Sequence, residues 1–297
     1  MSARGPGGRV AAALLTTYLW ALAPTVACAE GPTVWEMRGS GATVWLLGSV
    51  HLLRESDYPL PENVDRVMAR AERLVLELDL DAVDPITSQM IVFSLGRLEE
   101  GQSLADVMGN RSYRLAAKRA EKLGIDLGML SALKPWFAAL TIMNIEMLRL
   151  GFNPELGLEQ YLANQARQSG KEIVGLETME YQLGLFDELS YDTQSALLLQ
   201  TLSEAEDLQG EMSSLVSAWR QGETQALAAA LTRSFSDYPE VYRSIVTDRN
   251  EAWVSKILDL GSRGDDSLVV VGALHLVGDD SVIEMLRSKG AKLRRLE

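Results

Sequence analysis

The 297-residue chain carries 28 Lys and Arg against 41 Asp and Glu, a formal net charge of −13. It is long enough for one large or two modest domains with a sizeable core, and 47% hydrophobic with 23% charged residues excludes disordered, collagen-like and fibrous classes. The acidic balance argues against nucleic acid, whose phosphates need a positive footprint. A single Cys excludes a disulfide scaffold and a Cys-rich zinc site.

Residues 1–29 combine Arg4 and Arg9, no acid, an apolar run from Val10 to about Leu22, then Pro24 and Ala27-Cys28-Ala29. This is the layout of a secretory signal peptide, with cleavage expected before Glu30. The run falls short of the ~20 residues of a spanning helix. The expected product is exported, periplasmic or extracellular, and cysteine-free, which suits an oxidising compartment. Two alternatives stay open: an uncleaved membrane anchor with Tyr18 and Trp20 near the interface, and a lipoprotein attached through Cys28. Val26-Ala27-Cys28 partly resembles a bacterial lipobox, with Thr25 where Leu is usual.

Downstream, Thr33–Met37 and Thr43–Leu47 are short β-type runs flanking Gly39-Ser40-Gly41, a hairpin signal. Pro61 to Leu74 has helical spacing at Val64, Val67, Met68 and Ala71, with Pro61 suited to a first turn. Leu74–Leu78 reads as a strand, and 85–168 as mainly helices broken at Gly101, Gly124 and Gly151, with a long apolar helix from Lys134-Pro135 to Leu150. Ile173–Glu177 is a short strand, Met179–Leu260 is again helical, Ser267–Leu274 is the most apolar strand, and Ser281–Ser288 a final helix. The alternation predicts an α/β fold, a central sheet with helices on both faces. The surplus helices, at about 85–170 and 180–245, predict a large helical insertion or cap within one domain spanning 30–297.

The chemistry gathers at four strand ends. The two His residues of the chain, His51 and His275, each follow an apolar strand and each have Gly three residues before, in Gly48-Ser49-Val50-His51 and Gly272-Ala273-Leu274-His275. A residue placed there faces the crevice beyond the carboxyl ends of the strands, where open α/β sheets bind ligands. Glu77 lies within Leu74–Leu80 and Glu177 ends Ile173-Val174-Gly175-Leu176. A buried carboxylate needs a cationic or metal partner. Asp79 shares the Glu77 face by alternation and is a secondary candidate. Two imidazoles and one or two carboxylates are a plausible ligand set for Zn²⁺, Mn²⁺ or Co²⁺ with an open water position; alternatively one carboxylate serves as general base on that water. There is no H-E-x-x-H, G-x-S-x-G, P-loop or G-x-G-x-x-G.

These residues carry a resemblance. Gly48–His51, the Leu-Val-Leu-Glu-Leu-Asp stretch with Glu77, Gly175-Leu176-Glu177-Thr178, Arg249-Asn250 and Gly272-Ala273-Leu274-His275-Leu276 resemble the TraB/GumN family, from about Val34 to the C-terminus. That family is related to the Tiki metalloproteases and, more distantly, to erythromycin esterases and the haem-binding ChaN proteins. The resemblance implies an exported metal-dependent hydrolase of a peptide or ester bond, with its motifs mapping onto His51, Glu77, Glu177 and His275. The alternatives are a ligand-binding protein without turnover, for haem or another metal complex, and a non-enzymatic partner in export or signalling. In Gly157-Leu158-Glu159 the third position departs from the Asp usual in the family, which leaves Glu159 at the margin of the expected site.

Other features have plainer readings. Arg249 lies in a helix from about Tyr242 to Leu260, either packing there or reaching the site to hold a substrate carboxylate or stabilise an oxyanion. Lys134-Pro135-Trp136 reads as a helix start with a buried Trp. Arg111, Arg114, Lys118, Arg119 and Lys122 read as a solvated face, and Met143, Met147 and Leu150 as core. Arg54 and Glu55 either line the crevice mouth or form a plain loop. The substrate and the oligomeric state have no signal in the sequence.

Overall fold

A computed structural model describes residues 31–79, 81–82 and 84–296. The segment expected to be a signal peptide, with Cys28 and the cleavage expected before Glu30, lies outside the described residues. Strands β1 (Val34–Arg38), β2 (Thr43–Ser49), β3 (Arg73–Leu78), β4 (Glu172–Glu177), β5 (Ser267–Gly272) and β6 (Leu293–Leu296) form one sheet in the order β4-β3-β5-β2-β1-β6. The four strands β4, β3, β5 and β2 are mutually parallel, so their carboxyl ends lie side by side. The hairpin partner β1 and the edge strand β6 extend the sheet antiparallel.

The helices are α1 (Glu62–Arg70), α2 (Pro85–Gly96), α3 (Leu104–Lys122), α4 (Pro135–Arg149), α5 (Leu158–Ser169), α6 (Met179–Asp187), α7 (Tyr191–Glu204), α8 (Leu208–Arg220), α9 (Thr224–Phe235), α10 (Pro239–Tyr242), α11 (Asp248–Leu260) and α12 (Val282–Ser288). The sheet is covered on both faces, as α/β patterning requires. Strand alternation sends Trp45, Leu47, Leu74, Leu76, Leu268 and Val270 to one face. There they meet α1 through Val64, Val67 and Met68, α5 through Leu158 and Leu162, and α8 through Val216 and Trp219. Val44, Leu46, Val75, Val269 and Val271 point to the other face, against Trp253, Val254 and Ile257 of α11 and Val282, Ile283 and Leu286 of α12.

A third core lies away from the sheet, where Leu104, Met108, Ala116 and Ala120 of α3 meet Ala138, Ala139 and Ile142 of α4 and Leu198 and Leu202 of α7. Trp136 is buried at the start of α4, and its indole N–H and Lys134 both bond Asp187 at the end of α6. Of the basic run on α3, Arg119 donates to the Leu199 carbonyl and Lys122 pairs with Glu206. Met147 is buried in the core facing α1 and α5, with Met143 and Leu150 half-buried against it. Arg54 is tied to Asp57 and Ser213. Among the described residues no helix is long and apolar enough to cross a membrane.

Two boundaries differ from the expectation, both beside the site. The apolar strand expected through Leu274 stops at Gly272, and Ala273–Leu276 forms a 3-10 turn that carries His275. The helix expected from Tyr242 begins as α10, passes through a π-helical turn at Arg243–Thr247, and continues as α11. Wide turns of this kind are frequent at functional sites.

Candidate active site

The strand order explains why distant residues meet. Because β4, β3, β5 and β2 are parallel neighbours, Glu177, Glu77, the turn carrying His275 and the loop carrying His51 leave the sheet at adjacent carboxyl ends. Helix α11 runs back along one face and brings Arg249, Asn250, Trp253, Val254 and Ile257 against it. Arg249 and Asn250 stand in its first turn, level with the strand ends.

Arg249 is 6% exposed and sits between both carboxylates. Its Nη2 donates to Glu77 Oε2 at 2.6 Å and to Glu177 Oε2 at 2.8 Å, and its Nε lies 3.1 Å from both Glu177 oxygens. Its Nη1 donates to the Ile245 carbonyl of the π turn and to His275 Nε2, both at 3.2 Å. A guanidinium has five N–H donors, and these contacts use all of them. None is left for a substrate carboxylate or oxyanion in this arrangement, so Arg249 positions the two glutamates rather than reaching outward. The Trp253 indole lies under the guanidinium, 4.7 Å from its carbon, and donates to Glu177 Oε1 at 2.8 Å. Gln182 of α6 donates to Glu77 Oε2 at 3.2 Å and Glu177 Oε2 at 3.0 Å. Glu177 is thereby saturated. Glu77 Oε1 accepts only the Gly272 N–H, at 2.7 Å, and keeps a free lone pair.

The two histidines are in opposite states. Asn250 donates its amide to the Asp280 carbonyl at 2.7 Å, which turns its Oδ1 toward His275 Nδ1, also at 2.7 Å. This network assigns the proton of His275 to Nδ1 and leaves Nε2 to accept from Arg249. Burial pushes the His275 pKa down to about 4, Arg249 adds to the effect, and the ring is neutral at physiological pH. His51 instead pairs through Nδ1 with Glu159 Oε1 at 2.5 Å, and its side chain is 60% exposed. The Glu159 charge raises the His51 pKa to about 9, so His51 is an imidazolium whose Nε2–H lies beside Gly272. Burial alone would raise Glu77, but His275, His51, Arg249 and the Gly272 N–H hold it down at about 2.

Glu159 is the residue sequence reasoning left at the margin. It enters from the first turn of α5, where Leu158 N–H bonds the Val50 carbonyl and Gly157 packs against the His51 backbone. A Cβ on Gly157 would come within 2.1 Å of the His51 carbonyl oxygen, so only glycine permits this approach. Glu159 also accepts from Ser49 Oγ, which fixes the carboxylate that orients His51. Gln182 had no sequence signal at all, being one polar residue in a mixed helix.

Gly272 has a different reason to be glycine. Its φ of −48° suits any residue, but a Cβ would lie 3.3 Å from Glu77 Oε1, 3.4 Å from His51 Nε2 and 3.5 Å from His275 Cδ2. Three of the four expected residues therefore converge on the space left by one missing methyl group. Glu177 stands behind, linked to Glu77 through Arg249 and Gln182. Asp79 forms no bond to this cluster; it accepts from the Asp81 N–H in its own loop.

The divalent ion implied by the resemblance does not fit this arrangement. Glu177 is spent on Arg249 and Glu77 gives one of its two oxygens to it, the free lone pair of His275 Nε2 points at the same guanidinium, and His51 is paired through Nδ1 with Glu159. Among the described residues no three His, Cys, Asp or Glu side chains are grouped to hold an ion.

Comparison with known proteins bears on the same segment. The chain is similar to the uncharacterized Escherichia coli K12 protein YbaP, 25% identical over 242 residues that cover 82% of this chain and 87% of YbaP. It is also similar to an uncharacterized protein of Treponema pallidum, 21% identical over 267 residues, covering 86% of this chain and 80% of that protein. No solved structure matches it. A family model matches residues 33–295, through every strand of the sheet and all the residues that converge at its ends. The chain belongs to the TraB/PrgY/gumN family.

Proposed function

We propose that this protein is an exported hydrolase of peptide or ester bonds whose site works with the charges of its own side chains. The observation that supports the reading is the convergence of His51 Nε2 and the free lone pair of Glu77 Oε1 on the space at Gly272. A water held between them is the nucleophile. It adds to the substrate carbonyl carbon and gives a proton to Glu77, while His51 Nε2–H stabilises the carbonyl oxygen as it becomes an oxyanion. On collapse the bond to the leaving group breaks and Glu77 returns its proton to that group, so both residues end as they began. A carboxylate held near 2 is a weak base. The larger share of the acceleration therefore falls to the imidazolium.

The reading is tested with p-nitrophenyl esters and a pooled peptide library. Wild type should turn over at least one of these, and His51→Ala should lose about 10²–10³-fold in kcat, as removal of an oxyanion donor does, with the circular dichroism unchanged. No turnover by wild type, or equal turnover by the variant, contradicts it. Gly272→Ala separates space from chemistry. The backbone accepts alanine, so the unfolding midpoint should move by only a few degrees, whereas the methyl group displaces the water and activity should fall at least about tenfold. Full activity in this variant would place the nucleophile elsewhere.

Export rests on the N-terminal segment. Protein recovered from the periplasm or medium should begin at Glu30 on N-terminal sequencing, and an intact Met1 or a lipid-modified Cys28 would contradict cleavage there.

A further inference from the structure

Away from the strand ends, at the β1–β6 side of the sheet, a groove of about 600 Å³ is lined by Arg66 and Arg70 of α1 and by Arg294 and Arg295 of β6, together with Asn63. In a chain of net charge −13 this is an unusual concentration of cation, and among the described residues no acidic side chain is in its lining. Glu36, beneath it and 3% exposed, is the one acid paired with any of these arginines among the described residues. It accepts from Arg294 at 3.0 Å and lies 3.6 Å from Arg70. Arg295 is held instead by the Gly222 carbonyl at 2.8 Å, and Arg66 has no ion-pair partner among the described residues. One carboxylate against four guanidiniums leaves the groove positive. Its size is that of a small-molecule site.

We propose that this groove binds a phosphate monoester or diester, either as a soluble phosphorylated molecule or as a phospholipid headgroup. Guanidinium forks match phosphate oxygens two at a time. Arg66 and Arg70, one turn apart on α1, form one wall, and Arg294 of β6, which shares Glu36 with Arg70, faces them. Asn63 Oδ1 is buried with no donor among the described residues. The groove shares no residue with the strand-end site, so this proposal does not depend on hydrolysis.

The test is calorimetric titration of the full chain with glycerol 3-phosphate, alongside co-sedimentation with phosphatidylglycerol vesicles and phosphatidylcholine controls. Arg66→Gln should weaken binding about tenfold and Arg66→Glu should abolish it, and added salt should weaken it. Arg66 holds no buried partner, so these variants keep the fold. The same series is repeated in Glu297→Gln, which removes the side-chain carboxylate that follows Leu296 in the sequence. Binding to the soluble ester identifies a free ligand; binding only to phosphatidylglycerol vesicles, still lost in Arg66→Glu, identifies a headgroup. Binding of neither probe in either background, or binding unchanged by Arg66→Glu, overturns the proposal.

Discussion

Arg249→Ala is expected to destabilise the fold by about 3–5 kcal/mol near neutral pH, because it leaves Glu77 and Glu177 buried without their cation. The two side chains are 11% and 4% exposed, so water cannot replace the guanidinium. Against a total of about 5–15 kcal/mol for a typical domain, this is a large loss. Its pH dependence is the more specific result. In wild type Glu77 is held at about 2, so its stabilisation is present above the ordinary carboxylate range and is lost as pH falls through 2. In the variant Glu77 loses one of the charges that oppose its burial and becomes easier to protonate, so acidification narrows the gap to wild type. Urea unfolding near pH 7 and pH 4 measures both values. A loss below about 1 kcal/mol, the range of a surface pair, or a gap that widens on acidification, would mean that Arg249 does not hold the glutamates.

Glu159→Gln is expected to return His51 to a lower pKa, because the Glu159 charge is the main reason His51 titrates near 9. The His51 Cε1 proton resonance, followed by NMR against pH, should shift its midpoint from about 9 in wild type to the ordinary imidazole range or below. The linkage runs the same way. A raised histidine stabilises the fold fully below its unfolded value of about 6.5 and loses that contribution as pH rises through 9. Wild type should therefore be more stable than Glu159→Gln at pH 6 and converge with it above pH 9. Activity near pH 8 should drop in the variant by about the fraction of His51 that loses its proton. An unmoved midpoint would locate the charge that raises His51 elsewhere.

Much of the site was legible because chemistry-bearing residues stood at the ends of readable strands. His51 and His275 each followed a glycine three residues back, and Glu77 and Glu177 closed apolar runs that could not be solvated loops. The sequence could not supply the order β4-β3-β5-β2, which depends on which strand edges pair across more than a hundred residues of intervening helix. That order places Glu77, between the two histidines and Glu177, at the centre of the cluster. Arg249 stayed open between packing in its helix and reaching the site, because spacing shows that a side chain lies near a site, not how many partners it already has. Glu159 was set aside on its residue type, although the preceding Gly157 was the signal: a glycine at a helix start marks a close backbone approach, here to the His51 carbonyl. The end of the β5 strand was misjudged because Ala273 and Leu274 continue the apolar run while the backbone has already turned into a 3-10 helix.

The most direct test is the pH profile of kcat/KM for the wild-type chain and His51→Ala after exhaustive treatment with a metal chelator. Chelator-treated wild type is expected to keep its activity, with a plateau through neutral pH and a fall centred near 9 as His51 loses its proton. His51→Ala should be slower throughout and lack that fall. Activity that returns only when Zn²⁺, Mn²⁺ or Co²⁺ is added, or an alkaline limb that survives in His51→Ala, would contradict the account.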